Sequence, residues 1–235
     1  MRFRNRVDAG RRLADALSAR RGQDIIVLAV PRGGIAVAVP VAAALGAPLD
    51  VIVVRKLGVP FQPELAIGAI GEGGVRIIND RTLRLSGVTA VELAAVEHRE
   101  RAELDRQTEN YRGSRPGPRL TGHTVIVVDD GIATGSTARA ACQVARAQGA
   151  TRVVLAIPVA PRHAVTQSGH DADEVVCLET PQGFVAIGEF YDDYHQISDH
   201  VVRACLEAAP GCRPPPAPGT EAPAAGHLTP RPWPS

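Results

Sequence analysis

Residues 125–137, VIVVDDGIATGST, bring together groups that suit one kind of chemistry. Four apolar residues predict a buried strand, with two carboxylates, Asp129 and Asp130, at its carboxyl end. Gly131, Ile132, Ala133, Thr134, Gly135, Ser136 and Thr137 then form a loop of mostly small and hydroxyl residues that opens directly into a helix. Ligands of open parallel sheets bind at the carboxyl ends of the strands. A helix start offers free N–H groups and the positive end of the helix dipole, which together make a phosphate cradle. Two carboxylates beside that cradle would repel the anion unless they hold something else. The vicinal hydroxyls of a sugar, or a hydrated Mg²⁺ held through water by Asp129 and Asp130, meet that need. A phosphorylated ribose fits both halves, and Asp130 at a strand end is expected to contact ligand and not the core. An ordinary strand-to-helix turn with an Asp cap is the plainer alternative, but a cap needs only one such residue.

A second anion-ready loop is Val30-Pro31-Arg32-Gly33-Gly34, which follows another apolar run and also opens a helix. Arg32 adds a fork of donors. Cations recur at Arg55-Lys56, read as the end of the second strand. Each of these has an ordinary explanation as a turn or an exposed strand end. Three such loops at three successive strand ends point to one polyanionic ligand.

Four apolar residues, two acids, a short gap and Thr-Gly-x-Thr resemble the ribose-phosphate motif of the type I phosphoribosyltransferases. VRKLGVPFQPELAIGAIGE (54–72) and GEFYDDYHQISD (188–199) look like an uncharacterised bacterial branch of that family, so the resemblance spans roughly residues 3–208. It implies 5-phosphoribosyl-1-pyrophosphate as donor, with Mg²⁺ as cofactor. The pyrophosphate would lie at Arg32, Gly33 and Gly34, with Lys56 neutralising it. A mobile loop in this family covers the site, which makes Glu64 and Glu72 candidate general acid–base groups. A solvated loop carboxylate is the alternative for each. Phe184, Phe190 and Tyr191 are candidates to stack an acceptor ring in a small hood, against the alternative of a packing cluster that also includes Tyr194. In the hypoxanthine-guanine branch an Asp stands where this chain has Ala133, so a different acceptor, such as another nucleobase-like compound, is expected. A non-catalytic regulator that only binds the donor is the alternative function. About 24 residues precede the first strand, which leaves little room for a helix-turn-helix element and argues for the enzyme. The resemblance also implies a cytoplasmic homo-oligomer such as a dimer, acting on a small-molecule acceptor.

Several elements must position these groups. Residues 8–20 are expected to form a helix with Val7, Leu13, Ala14 and Leu17 along its apolar side. Strands are expected at 25–30, 51–54, 124–128, 153–157 and 174–178, and helices at 35–45, 135–148, 161–168 and 197–208. Pro40 suits its helix only in a first turn. The fold class is α/β: an open, mostly parallel twisted sheet with helices on both faces and a small hood. Residues 66–78 read as a hairpin around Gly71–Gly74. A helical insertion at about 80–113, after the second strand, contains a long charged helix at 89–111 whose far end is expected to be solvated or to pack on a partner. One domain is expected over 1–209, and a disordered Pro-rich tail over 210–235.

Composition sets the bounds. Apolar residues make up 45% and aromatics 3%, so the core must be built from aliphatic side chains. A net charge of +1 gives no global attraction to nucleic acid or membrane. The basic N-terminal cluster (Arg2, Arg4, Arg6, Arg11, Arg12) is read as a solvated face, with an RNA contact as the alternative. Asp192, Asp193 and His195 have weak spacing for a metal. The four cysteines form no CxxC pair and are expected to be reduced. No secretory leader or membrane span is evident.

Overall fold

The computed structural model describes residues 2–209, and within that range the side chain of Glu64 is not described. The expected tail, 210–235, lies outside the described residues. The main sheet has five strands: β1 (Ile25–Ala29), β2 (Leu49–Val51), β6 (Thr124–Val128), β7 (Arg152–Val159) and β8 (Glu174–Glu179). All its pairings are parallel, in the order β2-β1-β6-β7-β8. Side chains alternate between faces along a strand. Val27, Ala29, Ile126 and Val128 therefore join one apolar cluster, and Ile26, Leu28, Val125 and Val127 the other. Helices α1 (Arg6–Ala16), α2 (Gly34–Leu45), α4 (Ala90–Arg112) and α7 (Asp199–Ala208) cover the first face. Helices α5 (Ser136–Ala147) and α6 (Arg162–Ser168) cover the second. This is the expected α/β class. No helix among the described residues is long and apolar enough to cross a membrane. Cys142, Cys177 and Cys205 are free thiols.

The chain departs from the expected plan after β2. The apolar run 51–54 is not one strand: β2 ends at Val51 and the chain leaves the main sheet. It then forms a separate antiparallel sheet of β3 (Val54–Val59), β4 (Gln62–Gly71) and β5 (Arg76–Ile78), which contains the expected hairpin. Arg55 and Lys56 therefore lie within β3 and not at the end of a main-sheet strand. The helical segment, α3 (Asp80–Ser86) and α4, follows this small sheet and not the second strand directly.

The far end of α4 is anchored within this chain, contrary to the expectation of solvent or a partner. Leu104, Tyr111 and Arg112 are buried there. Arg112 donates from Nε to Asp50 Oδ1 at 2.7 Å, from Nη1 to Glu72 and from Nη2 to the Val51 carbonyl. Glu72 also accepts from the amide of Val53 at 3.2 Å. The cluster thus pins the crossing where the chain passes from one sheet to the other. Two further expectations fail for packing reasons. Val7 is exposed, and the buried stripe of α1 is Arg6, Ala9, Gly10, Leu13 and Ala14, with an arginine in an apolar register. Pro40 stands inside α2, beyond its first turn, with its ring against Gly10 of α1.

Removing Arg112 leaves Asp50 and Glu72 facing each other without their cation. Breaking a buried pair from one side costs about 3–5 kcal/mol. Arg112→Met is therefore expected to lower the unfolding free energy by that order in urea titration, and Arg112→Lys, which lacks the fork, by nearly as much. A loss below about 1 kcal/mol would remove the cluster from its anchoring role.

Candidate active site

The loops after β1 and β6 lie side by side because β1 and β6 pair in register, with Ala29 opposite Val128. Their closeness demands glycine. A methyl group on Gly33 would collide with the Asp130 carboxylate. Gly34 begins α2 directly behind it, and the peptide between Pro31 and Arg32 is cis. The other loop turns through Gly135, whose φ of +77° is left-handed and suits glycine, into α5. No side chain caps α5. Its first-turn amides lack intrahelical acceptors and remain available to an anion. The hydroxyls of Thr134 and Ser136 stand 3.2 Å apart in this loop.

A cleft with two lobes opens over these loops. The smaller, about 500 Å³, is bounded by Asp129 through Ala138, Arg32 and Gly33, so it gathers nearly all of the residues expected to hold donor. The larger, about 810 Å³, lies between the loop after β1, strand β3 and helix α4, and contains Lys56. Val30, Pro31, Arg32 and Thr137 border both lobes.

The two carboxylates differ. Asp130 is buried, and its Oδ2 accepts from Arg6 Nε at 2.7 Å and from the Tyr194 hydroxyl at 3.0 Å. The Arg6 guanidinium lies over the Tyr194 ring, 3.8 Å from its centre, and donates to the His195 carbonyl at 2.8 Å. The expectation that Asp130 serves ligand and not packing is thus corrected: one of its oxygens belongs to an internal ion pair. Asp129 Oδ1 accepts from the Asp130 amide at 2.8 Å. Burial and then the neighbouring Asp130 carboxylate push the Asp129 carboxyl well above the usual range. No hydrogen bond to Asp130 Oδ1 or Asp129 Oδ2 is present among the described residues. Both carboxylates border the smaller lobe. No group of three or more His, Cys, Asp or Glu that could hold a metal directly occurs among the described residues, Asp192, Asp193 and His195 included.

The remaining candidates separate. Glu72 does not border the cleft, being held by Arg112 and Val53. Glu64 lies in β4, and its side chain is outside the described residues. Phe184 and Phe190 stack on each other at 5.6 Å and do not border the cleft. Tyr191 is buried against Phe3 and donates to the Asp130 carbonyl at 2.6 Å. Packing, and not ligand stacking, explains these three rings. Tyr194 and Ile187 face the smaller lobe instead. Burial and then Asp130 push the Tyr194 hydroxyl up to about 12, so it stays a donor near neutrality. Arg6 was hidden in the basic N-terminal cluster. Its signal was its place in the i, i+3, i+4, i+7 register of the buried stripe.

Gly33→Ala tests the closeness of the two loops. The added methyl must displace the Asp130 carboxylate from Arg6 and Tyr194, at about 1–3 kcal/mol for the disturbed charged hydrogen bonds. Thermal unfolding should show that loss, whereas an unchanged melting temperature would mean the loops are not in contact.

Comparison with known proteins gives the same assignment. The family model described as "Phosphoribosyl transferase domain" matches residues 2–195. Two curated relatives from Mycobacterium tuberculosis strains CDC 1551 / Oshkosh and H37Rv, each named "Putative phosphoribosyl transferase", are 54% identical over 207 residues, covering 88% of this chain and 47% of theirs. This chain thus spans about half the length of those relatives. The crystal structure of TT1426 from Thermus thermophilus is 43% identical, covers 88% of this chain and 98% of that one, and superposes with a TM-score of 0.81. With its paired acids and helix-start loop at adjoining strand ends and the family model matched over most of its length, the chain belongs to the phosphoribosyl transferase domain family.

Proposed function

We propose that this chain binds 5-phosphoribosyl-1-pyrophosphate with Mg²⁺ and transfers the phosphoribosyl group to a small acceptor of nucleobase type. The observation that carries this reading is the pair of carboxylates, each with one oxygen that takes no hydrogen bond among the described residues, beside the uncapped start of α5. The 5′-phosphate takes the amides and hydroxyls of Thr134 to Thr137, and the 2′- and 3′-hydroxyls take Asp130 Oδ1 and Asp129 Oδ2. Asp129 and Asp130 would hold Mg²⁺ through water, which suits an ion that keeps several waters and binds through one or two carboxylates and substrate phosphates. When bound, Mg²⁺ supplies charge to the departing pyrophosphate. The C1–O bond breaks, its electron pair leaves with pyrophosphate, and a lone pair of the acceptor closes on C1 from the opposite face. Arg32 and Lys56, which border the larger lobe, meet the charge that grows on the leaving group.

Calorimetry with the donor, with and without Mg²⁺, is the first check. Binding is expected only with the metal present, and no heat in either condition from folded protein would end the proposal. Asp129→Asn should weaken the donor at least about tenfold, the scale of a hydrogen bond to a charged group, with little change in melting temperature. Asp130→Asn should weaken it as well and also destabilise the fold, because Arg6 loses its counter-charge. Unchanged affinity in both variants would remove the acids from ribose binding.

The acceptor is expected not to be hypoxanthine or guanine. Ala133 lies in the smaller lobe, and its methyl group can neither take a proton from a purine nitrogen nor hold charge near it. Glu72 is tied to Arg112, which leaves Glu64, water or pyrophosphate to accept any proton. Pyrophosphate release measured with a panel of bases should be slow with hypoxanthine, since an absent acid or base costs about 10²–10⁴-fold. Efficient turnover of hypoxanthine would overturn this expectation.

A further inference from the structure

The arginines that border the larger lobe are not held alike. Arg55 and Arg99 share Glu100 at 2.8 and 3.3 Å, and Arg106 pairs with Glu103 at 2.7 Å, so carboxylates on the inward stripe of α4 hold all three within hydrogen-bond reach. Arg32 differs. Its Nη1 stands 3.9 Å from Asp199 Oδ1, near enough to attract and too far for a hydrogen bond. Its side chain donates no hydrogen bond among the described residues and is 44% exposed. Attraction at that distance and exposure is weak. Arg32 also borders both lobes, where the proposed donor passes from ribose to pyrophosphate.

Asp199 is fixed where Arg32 is loose. It is the first residue of α7, after Ser198, whose hydroxyl accepts from the Val201 amide at 3.4 Å. Asp199 Oδ2 accepts from Asn110 Nδ2 at 2.9 Å, and Oδ1 accepts from the Tyr111 hydroxyl at 3.1 Å. Burial and then Asp199 push that hydroxyl up to about 12, so it stays a donor near neutrality. Asn110 and Tyr111 belong to the last turn of α4, next to Arg112 and its buried cluster. An anion that takes Arg32 must therefore draw it from a carboxylate that stays behind. Leaving is easy, because no hydrogen bond breaks. The carboxylate then lies uncompensated at the edge of the same lobe and repels the bound anion. Competition and repulsion both lower affinity at Arg32.

We propose that Asp199 is the resting counter-ion of Arg32 and sets the affinity of the pyrophosphate place: pyrophosphate exchanges with Asp199 on Arg32, and the carboxylate left behind hastens its release. Asp199 touches no reacting atom and acts through Arg32 as a positioning residue. The inference rests on the proposed position of pyrophosphate at Arg32 and Lys56.

The test is calorimetry of the full chain with pyrophosphate and Mg²⁺, and separately with ribose 5-phosphate, at low and at high salt. Asp199→Asn keeps the shape of the side chain and removes its charge. It is expected to bind pyrophosphate about fivefold tighter at low salt, the change that loss of a competing pair worth about 1 kcal/mol gives. The gain should shrink at high salt, where partly exposed charges are screened. Ribose 5-phosphate affinity should not change, and Asp199→Glu, which keeps the charge, should stay close to the wild type. A merely structural Asp199 would give no gain that salt removes. Arg32→Gln separates this inference from the reading beneath it. If Arg32→Gln weakens pyrophosphate while Asp199→Asn binds it no tighter, or tighter to the same extent at both salt concentrations, the position stands and the inference is overturned. If pyrophosphate fails to bind the wild type, or binds Arg32→Gln equally well, the position falls and the inference with it.

Discussion

The carboxylate of Asp130 is the point on which the arrangement depends. A charge taken out of water must be paired and hydrogen-bonded, and Asp130 meets that demand with Arg6 from α1 and Tyr194 from the segment before α7. It sits against Gly33 of the neighbouring loop, where only a hydrogen fits. Three regions distant in sequence therefore converge on one side chain. The main-chain pairing of Phe3 with the 190–192 segment holds α1 close enough for Arg6 to reach it. Orientation follows from the same contacts: Arg6 and Tyr194 hold Oδ2 of a carboxylate that borders the smaller lobe.

This division between held and open oxygens lets structural charge and ligand chemistry share one pair of acids. Fully engaged carboxylates would leave nothing for a sugar or a hydrated cation. Fully open ones would stand as adjoining negative charges at a phosphate site; burial first, and then the neighbouring Asp130, already raise the Asp129 carboxyl even with Arg6 in place. On the opposite side of Arg32, Arg55, Arg99 and Arg106 pair with Glu100 and Glu103, and α4 is fixed in position by the buried Arg112 cluster at its far end. The same cluster takes Glu72 out of the cleft and uses it to secure the passage between the two sheets.

What the amino-acid sequence reveals follows the range of the interactions involved. Strand β6, the two acids and the loop into α5 are contiguous, so composition and order alone expose them, and β6 runs over the expected residues 124–128. The switch from β2 to β3 is invisible because the apolar run 51–54 continues through it, while the hydrogen bonds that mark it come from Glu72 and Ala29. Arg6, Tyr194 and the inward stripe of α4 are seen only once helices and sheet are placed together. Charged residues on a long helix look the same in sequence whether they face solvent or a cleft. Aromatic clustering at 184–194 is equally ambiguous: Tyr191 went to the core and Tyr194 to the cleft, three residues apart.

The central claim is that the start of α5 holds a phosphate while the two acids hold the ribose attached to it. A crystal structure with ribose 5-phosphate bound tests this most directly. The account predicts the phosphate on the amides of Thr134 to Thr137 and the sugar hydroxyls within hydrogen-bond reach of Asp129 and Asp130, with the Arg6–Asp130 pair intact. A phosphate seated instead among Arg32, Lys56 and Arg106, with the acids untouched, would contradict it.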